Sequence, residues 1–318
     1  MLTSVLKERP DHLILSRDVT TAGARATLFA RVRRGELVVV LRGAYVPVEV
    51  WAALDADAHY RAMVHAAAAL TERESVFSHH SAAALWRLPV VGAWPHRVHV
   101  VAPGADGGRS SSTVFRHTVG MPDAVQSIEG LSVTTLARTV VDLARVTPFG
   151  QAVVFADAAL HRTAHPIGGV PSTSLDRAQL HGELAGVPLR QGTAKIFEVI
   201  EFADGAADRP GESLSRVSML RAGITMPLLQ IPLLGASGRR YFVDFWWPEF
   251  NVIGEFDGRD KYRRPEFLRG RTPEQALYDE KLREDDLRAA GHGMSRWSWE
   301  VAVSPRKLAA HLAIAGVK

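Results

Sequence analysis

Four acidic residues in the last third of the sequence have the types and spacing that metal-assisted chemistry uses. Asp244 lies inside the apolar run Phe242-Val243-Asp244-Phe245. Burying a carboxylate in such a run is costly unless it is paired or bound to a cation. Glu255 and Asp257 stand two apart in Ile253-Gly254-Glu255-Phe256-Asp257-Gly258, and strand alternation puts both on one face of a sheet. Like charges so close repel, and a hard divalent cation with oxygen ligands relieves that repulsion. Glu212, on the preceding helix, can reach the same point. The set suits Mg²⁺ or Mn²⁺, which orients a water and stabilises charge on a phosphate oxygen. A plainer reading of the same residues remains: Asp-Gly is also a turn signal, and Asp244 has many arginines to pair with. The 318 residues include no cysteine, which excludes disulfides, thiolate zinc sites and a cysteine nucleophile.

A second candidate set is basic. Arg25, Arg31, Arg33, Arg34 and Arg42 fall within 18 residues that hold one acid, Glu36. The whole chain carries 38 basic and 34 acidic residues, a formal charge of +4. That excess is local: residues 1–208 hold 20 of each sign, and residues 209–318 hold 18 basic and 14 acidic. Both regions can face phosphates, whose charge dominates nucleic-acid affinity; the alternative is a solvated arginine surface. His79 and His80 are adjacent and do not share a helix face, so they read as a cap and a packed imidazole rather than a metal pair. Trp246-Trp247 and Trp297-x-Trp299 have the chemistry to stack on bases, but on core strands they read as packing.

These side chains need elements to position them, and the length suffices for two or three domains. At 47% hydrophobic and 23% charged residues the composition is that of a folding chain. Residues 1–10 lack the apolar core of a leader, and the alanine-rich stretch 62–70 is short of a membrane span, so a soluble cytoplasmic protein with no membrane partner is expected. Residues 17–22 and 24–34 read as helices around a turn at Gly23, the second stopped by Gly35. Strands 37–41 and 45–47 follow around a turn at Arg42. Two helices and a hairpin describe a winged helix-turn-helix over 1–50. Residues 51–203 are mixed: helices over 51–70 and 81–88 (with Ser78 as a cap), strands 97–102 and 114–117, a helix over 133–144, and helical chain over 151–200. A Gly/Ala/Pro-rich boundary at 204–211 precedes the last region, 204–318. There a helix (212–222), three strands (228–234, 241–246, 252–257), a helix (276–290), a strand (293–299) and a closing helix (305–315) describe a small α/β domain.

The order Glu212, Asp244, Glu255-Phe256-Asp257 resembles the PD-(D/E)XK nuclease core, in the branch similar to very-short-patch-repair endonucleases. The resemblance runs over roughly the last 110 residues. It is carried by Pro210-Gly211-Glu212-Ser213, Val243-Asp244-Phe245, Gly254-Glu255-Phe256-Asp257-Gly258-x-x-Lys261-Tyr262, Glu280-Lys281-x-Arg283-Glu284-Asp285 and Arg296-Trp297-x-Trp299. It implies a restriction-endonuclease-like α/β domain with metal ligands Glu212, Asp244 and Glu255. One departure stands out. The core's lysine, two after Glu255, is Asp257 here, which leaves Lys261 or Lys281 to support phosphate charge, or Asp257 as an extra ligand. Arg283, on the helix facing the site, can hold a carboxylate or a phosphate.

The first two thirds resemble the AbiEi-type antitoxin and transcriptional-regulator family through the residues over 11–50, Ser78-His79-x-Ser81-Ala82-Ala83-x-Leu85-Trp86, and Arg138-Thr139-x-x-Asp142-Leu143-Ala144. That resemblance implies DNA binding by the winged helix through Arg25, Arg31, Arg33 and Arg34, with Arg42 on the wing. The expected class is therefore α+β or α/β multidomain, with an N-terminal winged helix-turn-helix, a mixed α/β middle domain and the endonuclease-like domain. Two functions follow: a Mg²⁺- or Mn²⁺-dependent DNA endonuclease targeted by a winged helix, or an antitoxin-like regulator with an inactive nuclease-like domain. DNA is the expected partner, and a toxin or a second copy of the chain stays open.

Overall fold

The computed structural model describes residues 12–71, 74–102, 110–188, 191–258 and 272–318. The chain is mixed α/β, with three sheets among the described residues. It divides into two compact units, Met1–Ala203 and Asp204–Lys318.

The first unit opens with β1 (Ile14–Leu15). Where a helix was expected over 17–22 there is a 3-10 turn, Ser16–Asp18. Thr21 explains the shift: its Oγ1 accepts the Ala24 N–H at 3.2 Å, a capping bond that starts α1 at Ala22 (Ala22–Arg33) and takes Gly23 into the helix. Strands β2 (Leu37–Leu41) and β3 (Ala44–Pro47) complete an antiparallel sheet ordered β1-β3-β2. Leu28 is the one buried residue of α1, packed with Leu37 and Tyr45.

The helix expected over 51–70 is two, α2 (Val48–Ala53) and α3 (Ala56–Leu70), because Asp55 Oδ1 accepts the Ala58 N–H at 2.8 Å and begins a new one. Strand β4 (Val76–Phe77), helix α4 (His79–Leu85), and strands β5 (Val98–Val101), β6 (Val114–His117), β7 (Val125–Ile128) and β8 (Leu131–Thr134) follow. The strands form one sheet, β6-β5-β4-β8-β7. Residues 133–134, expected to start a helix, instead end a strand: Glu129 and Gly130, both at positive φ, make a two-residue hairpin that pairs Ile128 with Leu131. Helix α5 (Leu136–Val146) then starts on a Thr135 cap, and α6 (Phe149–His161), α7 (Arg177–Gly186) and α8 (Thr193–Phe202) complete the unit. Ser78 makes no side-chain capping bond. His79 is fully buried and stacks on His117 with ring centroids 3.4 Å apart.

The second unit runs α9 (Pro210–Ala222), β9 (Leu228–Leu234), β10 (Arg240–Trp247), β11 (Val252–Asp257), α10 (Pro273–Ala289), β12 (Gly293–Ser298), α11 (Trp299–Ala302) and α12 (Pro305–Ile314). Proline at the N-terminal turn and Gly223 at φ 71 delimit α9. The sheet order is β12-β11-β10-β9, with β11 and β12 parallel and the other neighbours antiparallel. One core joins Met219, Phe245, Trp247, Phe256, Trp297 and Leu308; another joins Val243, Ile253 and Leu287. The indole N–H of Trp247 donates to the Thr225 carbonyl and that of Trp297 to Ser215 Oγ. Both are packing residues, whereas Trp299 is 41% exposed.

Candidate functional site

Glu212 and Asp244 meet where the sheet forks. Strands β10 and β11 pair at Trp247↔Val252, Trp246↔Ile253 and Phe245↔Gly254, and the ladder stops there. Asp244 is the next residue of β10, and its Oδ2 accepts the Phe256 N–H at 3.0 Å. The face pattern of β10 also slips at Asp244. Val243 packs beside Ile253 and Leu287, while Phe245 and Trp247 pack beside Met219 and Trp297.

Glu212 arrives from the first turn of α9 and is 3% exposed. Gly211 makes that approach possible, since a Cβ there would lie 2.1 Å from the Phe256 ring. The backbone N–H of Asp208 donates to Glu212 Oε2 at 3.0 Å. Burial, and after it the Asp244 carboxylate, push the Glu212 carboxyl up to about 8.

Gln230 joins the two acids. Its Nε2 donates to Glu212 Oε2 at 3.3 Å and to Asp244 Oδ1 at 3.4 Å. The residue holds φ 50 in the middle of an edge strand, a conformation that is uncommon for a non-glycine residue and clusters at functional sites. The β9–β10 ladder steps from Val243↔Ile231 to Phe245↔Leu229, leaving Asp244 and Gln230 out. Sequence reasoning missed this residue; its only signal is an amide inside Leu228-Leu229-Gln230-Ile231.

Glu255 is 3% exposed and engaged by Arg283, whose Nη2 donates to Oε1 at 2.8 Å and Nη1 to Oε2 at 3.3 Å. Burial disfavours the guanidinium charge, but Glu255 and then Asp244 outweigh it and the Arg283 value is raised. The helix that aims Arg283 is anchored through Asp286. That carboxylate accepts from the Ser237 N–H (2.8 Å), Ser237 Oγ (2.6 Å) and the Tyr241 hydroxyl (3.0 Å). Lys281 is exposed; it stands two residues from Arg283, roughly 200° around the helix. Asp257 is half-buried at the end of β11, and Lys261 lies outside the described residues. Glu212 and Asp244 are therefore brought together, and Glu255 sits beside them in an ion pair with Arg283. No three His, Asp or Glu side chains among the described residues form a ready metal-holding group.

On α1, Arg25, Phe29 and Arg33 recur every four residues and are exposed, Phe29 by 41%, so they form one stripe. Arg25 Nη2 also donates to the Val19 carbonyl at 3.2 Å. Arg31 and Arg34 both bind Glu36, at 3.2 and 2.5 Å; the Arg34 hydrogen bond is the main cause that holds Glu36 below the usual carboxylate range. Arg42 is exposed in the β2–β3 turn. Phe29 was not singled out from sequence. No helix among the described residues is long and apolar enough to cross a membrane.

No protein-family model matches the chain. It is similar to uncharacterized proteins of two strains of Mycobacterium tuberculosis, each 29% identical over 176 residues, or 55% of this chain. The match covers 60% of the length of those curated relatives.

Proposed function

We propose that the chain is a DNA-binding protein whose second unit is an endonuclease-like domain that hydrolyses phosphodiester bonds with a divalent cation. The observation that carries the reading is the Glu212–Asp244 carboxyl pair, a buried acid beside a half-buried one at a fork in the sheet. A lone pair of acids there repels DNA unless a cation intervenes. The donors fit Mg²⁺ or Mn²⁺: both side chains offer hard oxygens, and the proton that burial keeps on Glu212 is one a cation would displace. Bound there, such an ion supplies phosphate charge neutralisation and an activated water. Glu212 and Asp244 hold it, the Gln230 amide fixes their separation, and Arg283 keeps Glu255 from adding uncompensated charge. The α1 stripe and the wing Arg42 supply the phosphate contacts that bring DNA to the chain.

A second reading, an antitoxin-like regulator whose nuclease-like domain is inactive, draws on two observations. Arg283 occupies both oxygens of Glu255, and Asp257 stands at the motif lysine's place. Cleavage of supercoiled plasmid by wild type against Asp244→Ala, with Mg²⁺ or Mn²⁺, separates the two readings.

A further inference from the structure

The first unit holds chemistry that nucleic-acid binding does not use. His79 and His80 at the start of α4, His99 on β5 and His117 on β6 bring their rings into one layer. His79 stacks on His117 within 10° of parallel; His99 lies with its ring centroid 5.0 Å from that of His117 and 5.2 Å from that of His80. His99 Nδ1 and His117 Nε2 face each other at 2.8 Å. Behind them, Ser78 Oγ is 3.0 Å and Asp142 Oδ2 3.9 Å from His79 Nδ1, and Arg138 Nε donates to Asp142 Oδ1 at 3.0 Å.

Three buried atoms of this layer have no hydrogen-bond partner: His79 Nε2, His80 Nδ1 and Asp142 Oδ2. His79 is 0% and Asp142 2% exposed. Orphaned buried polar atoms are uncommon, and a bound ion or water is a standard explanation. The rings are also held in the ligating, neutral form. Burial first, then neighbouring charge, lowers His99 to about 3 and His117 to about 4, and burial alone lowers His80 to about 4. Neutral imidazoles suit zinc, copper or nickel, whereas hard cations take oxygen.

We propose that His80, His99 and His117 form a binding site for a borderline divalent transition metal, Zn²⁺ first, with His79 as a positioning residue. Two donors are nearly in place. A tetrahedral ion with bonds of about 2.0–2.1 Å puts its nitrogens roughly 3.3 Å apart, so His99 and His117 need to part by only about 0.5 Å. No third donor is gathered with them yet. His80, with its ring centroid 5.2 Å from that of His99 and its Nδ1 unpartnered, completes the set by turning its ring. His79 is not a ligand: its ring lies parallel to that of His117, and lone pairs in parallel ring planes do not converge on one ion. It braces His117 by stacking on it, and Ser78 Oγ, 3.0 Å from its Nδ1, holds it in turn.

His161, half-buried at the end of α6, and the exposed His165 stand four apart, a spacing that can chelate metal once the two rings turn out of their parallel stack. The test therefore uses the full chain carrying His161→Ala and His165→Ala, stripped with a chelator and titrated with Co²⁺ and then Zn²⁺. The expected result is one tight equivalent with the visible absorption of tetrahedral Co²⁺ and three paramagnetically shifted imidazole N–H signals. His99→Asn and His117→Asn should each weaken binding about a hundredfold or more, as loss of one of three ligands does. Absence of a bound equivalent, fewer than three shifted imidazoles, or unchanged affinity in a folded His117→Asn protein overturns the proposal. The imidazole count comes from the parent protein, so it holds even where a variant misfolds.

Discussion

Replacing Glu212 by glutamine tests whether the acid pair is strained in the way its burial requires. The Glu212 carboxyl is pushed from its ordinary 4.5 to about 8 by burial and by Asp244. A raised acid contributes stability that is fully present below the unfolded value and is lost as pH rises through the folded one. Each pH unit in that window costs about 1.4 kcal/mol, so by pH 7 the chelator-treated protein should have lost roughly 3 kcal/mol from this group. Glutamine resembles the protonated acid. Its carbonyl still accepts the Asp208 N–H, its amide can donate to Asp244, and it does not ionise. The stability of Glu212→Gln relative to wild type should therefore improve by about 3 kcal/mol between pH 5 and pH 8. Urea denaturation of the full chain, followed through the individual indole N–H signals of Trp246, Trp247, Trp297 and Trp299, reads this unit. Parallel pH profiles for the two proteins would mean that Glu212 is ionised throughout, and the reasoning would fail.

Gly211→Ala should destabilise the second unit by about 1–3 kcal/mol or more, because its Cβ meets the Phe256 ring; a melting temperature equal to wild type would contradict the close approach of α9 to β11. The four-histidine layer should make the first unit acid-sensitive. Its imidazoles are lowered in the folded state, so their contribution is present above pH 6.5 and is lost as pH falls toward 4, about 1.4 kcal/mol per ring at pH 5.5. In chelator, an unfolding midpoint that stays flat from pH 7 to pH 4.5 would rule this out. Replacing Arg25 and Arg33 together by alanine should weaken DNA binding and reduce the slope of log K against log salt by about 2; an unchanged slope in a fluorescence-anisotropy titration removes the α1 stripe from the interface.

Much of the second unit was legible because its strands are apolar runs with clear turn signals and its helices end on glycine. Asp244 was singled out for a physical reason, since a carboxylate in an apolar run needs a partner, whereas Glu212 was singled out by its place on the preceding helix and by the resemblance. Gln230 could not be found that way, since its role comes from a positive φ and a skipped ladder pair that no local spacing encodes. Helix phase chose Arg283 over Lys281 as the residue that reaches Glu255, and the turn that anchors that phase through Asp286, at Ser237, lies 49 residues from Asp286 in sequence. In the first unit, single capping side chains moved the boundaries: Thr21 absorbed an expected turn and Asp55 split an expected helix. The histidine layer joins residues up to 38 positions apart, so adjacency of His79 and His80 gave no hint of it.

The most direct test of the central claim is conversion of supercoiled plasmid to nicked or linear forms by the full-length protein in Mg²⁺ or Mn²⁺, beside Asp244→Ala and Glu212→Gln. The account predicts metal-dependent cleavage by the wild type that both variants lose while still binding DNA. Cleavage no greater than that of the variants, in either metal, would contradict it and favour the regulator reading.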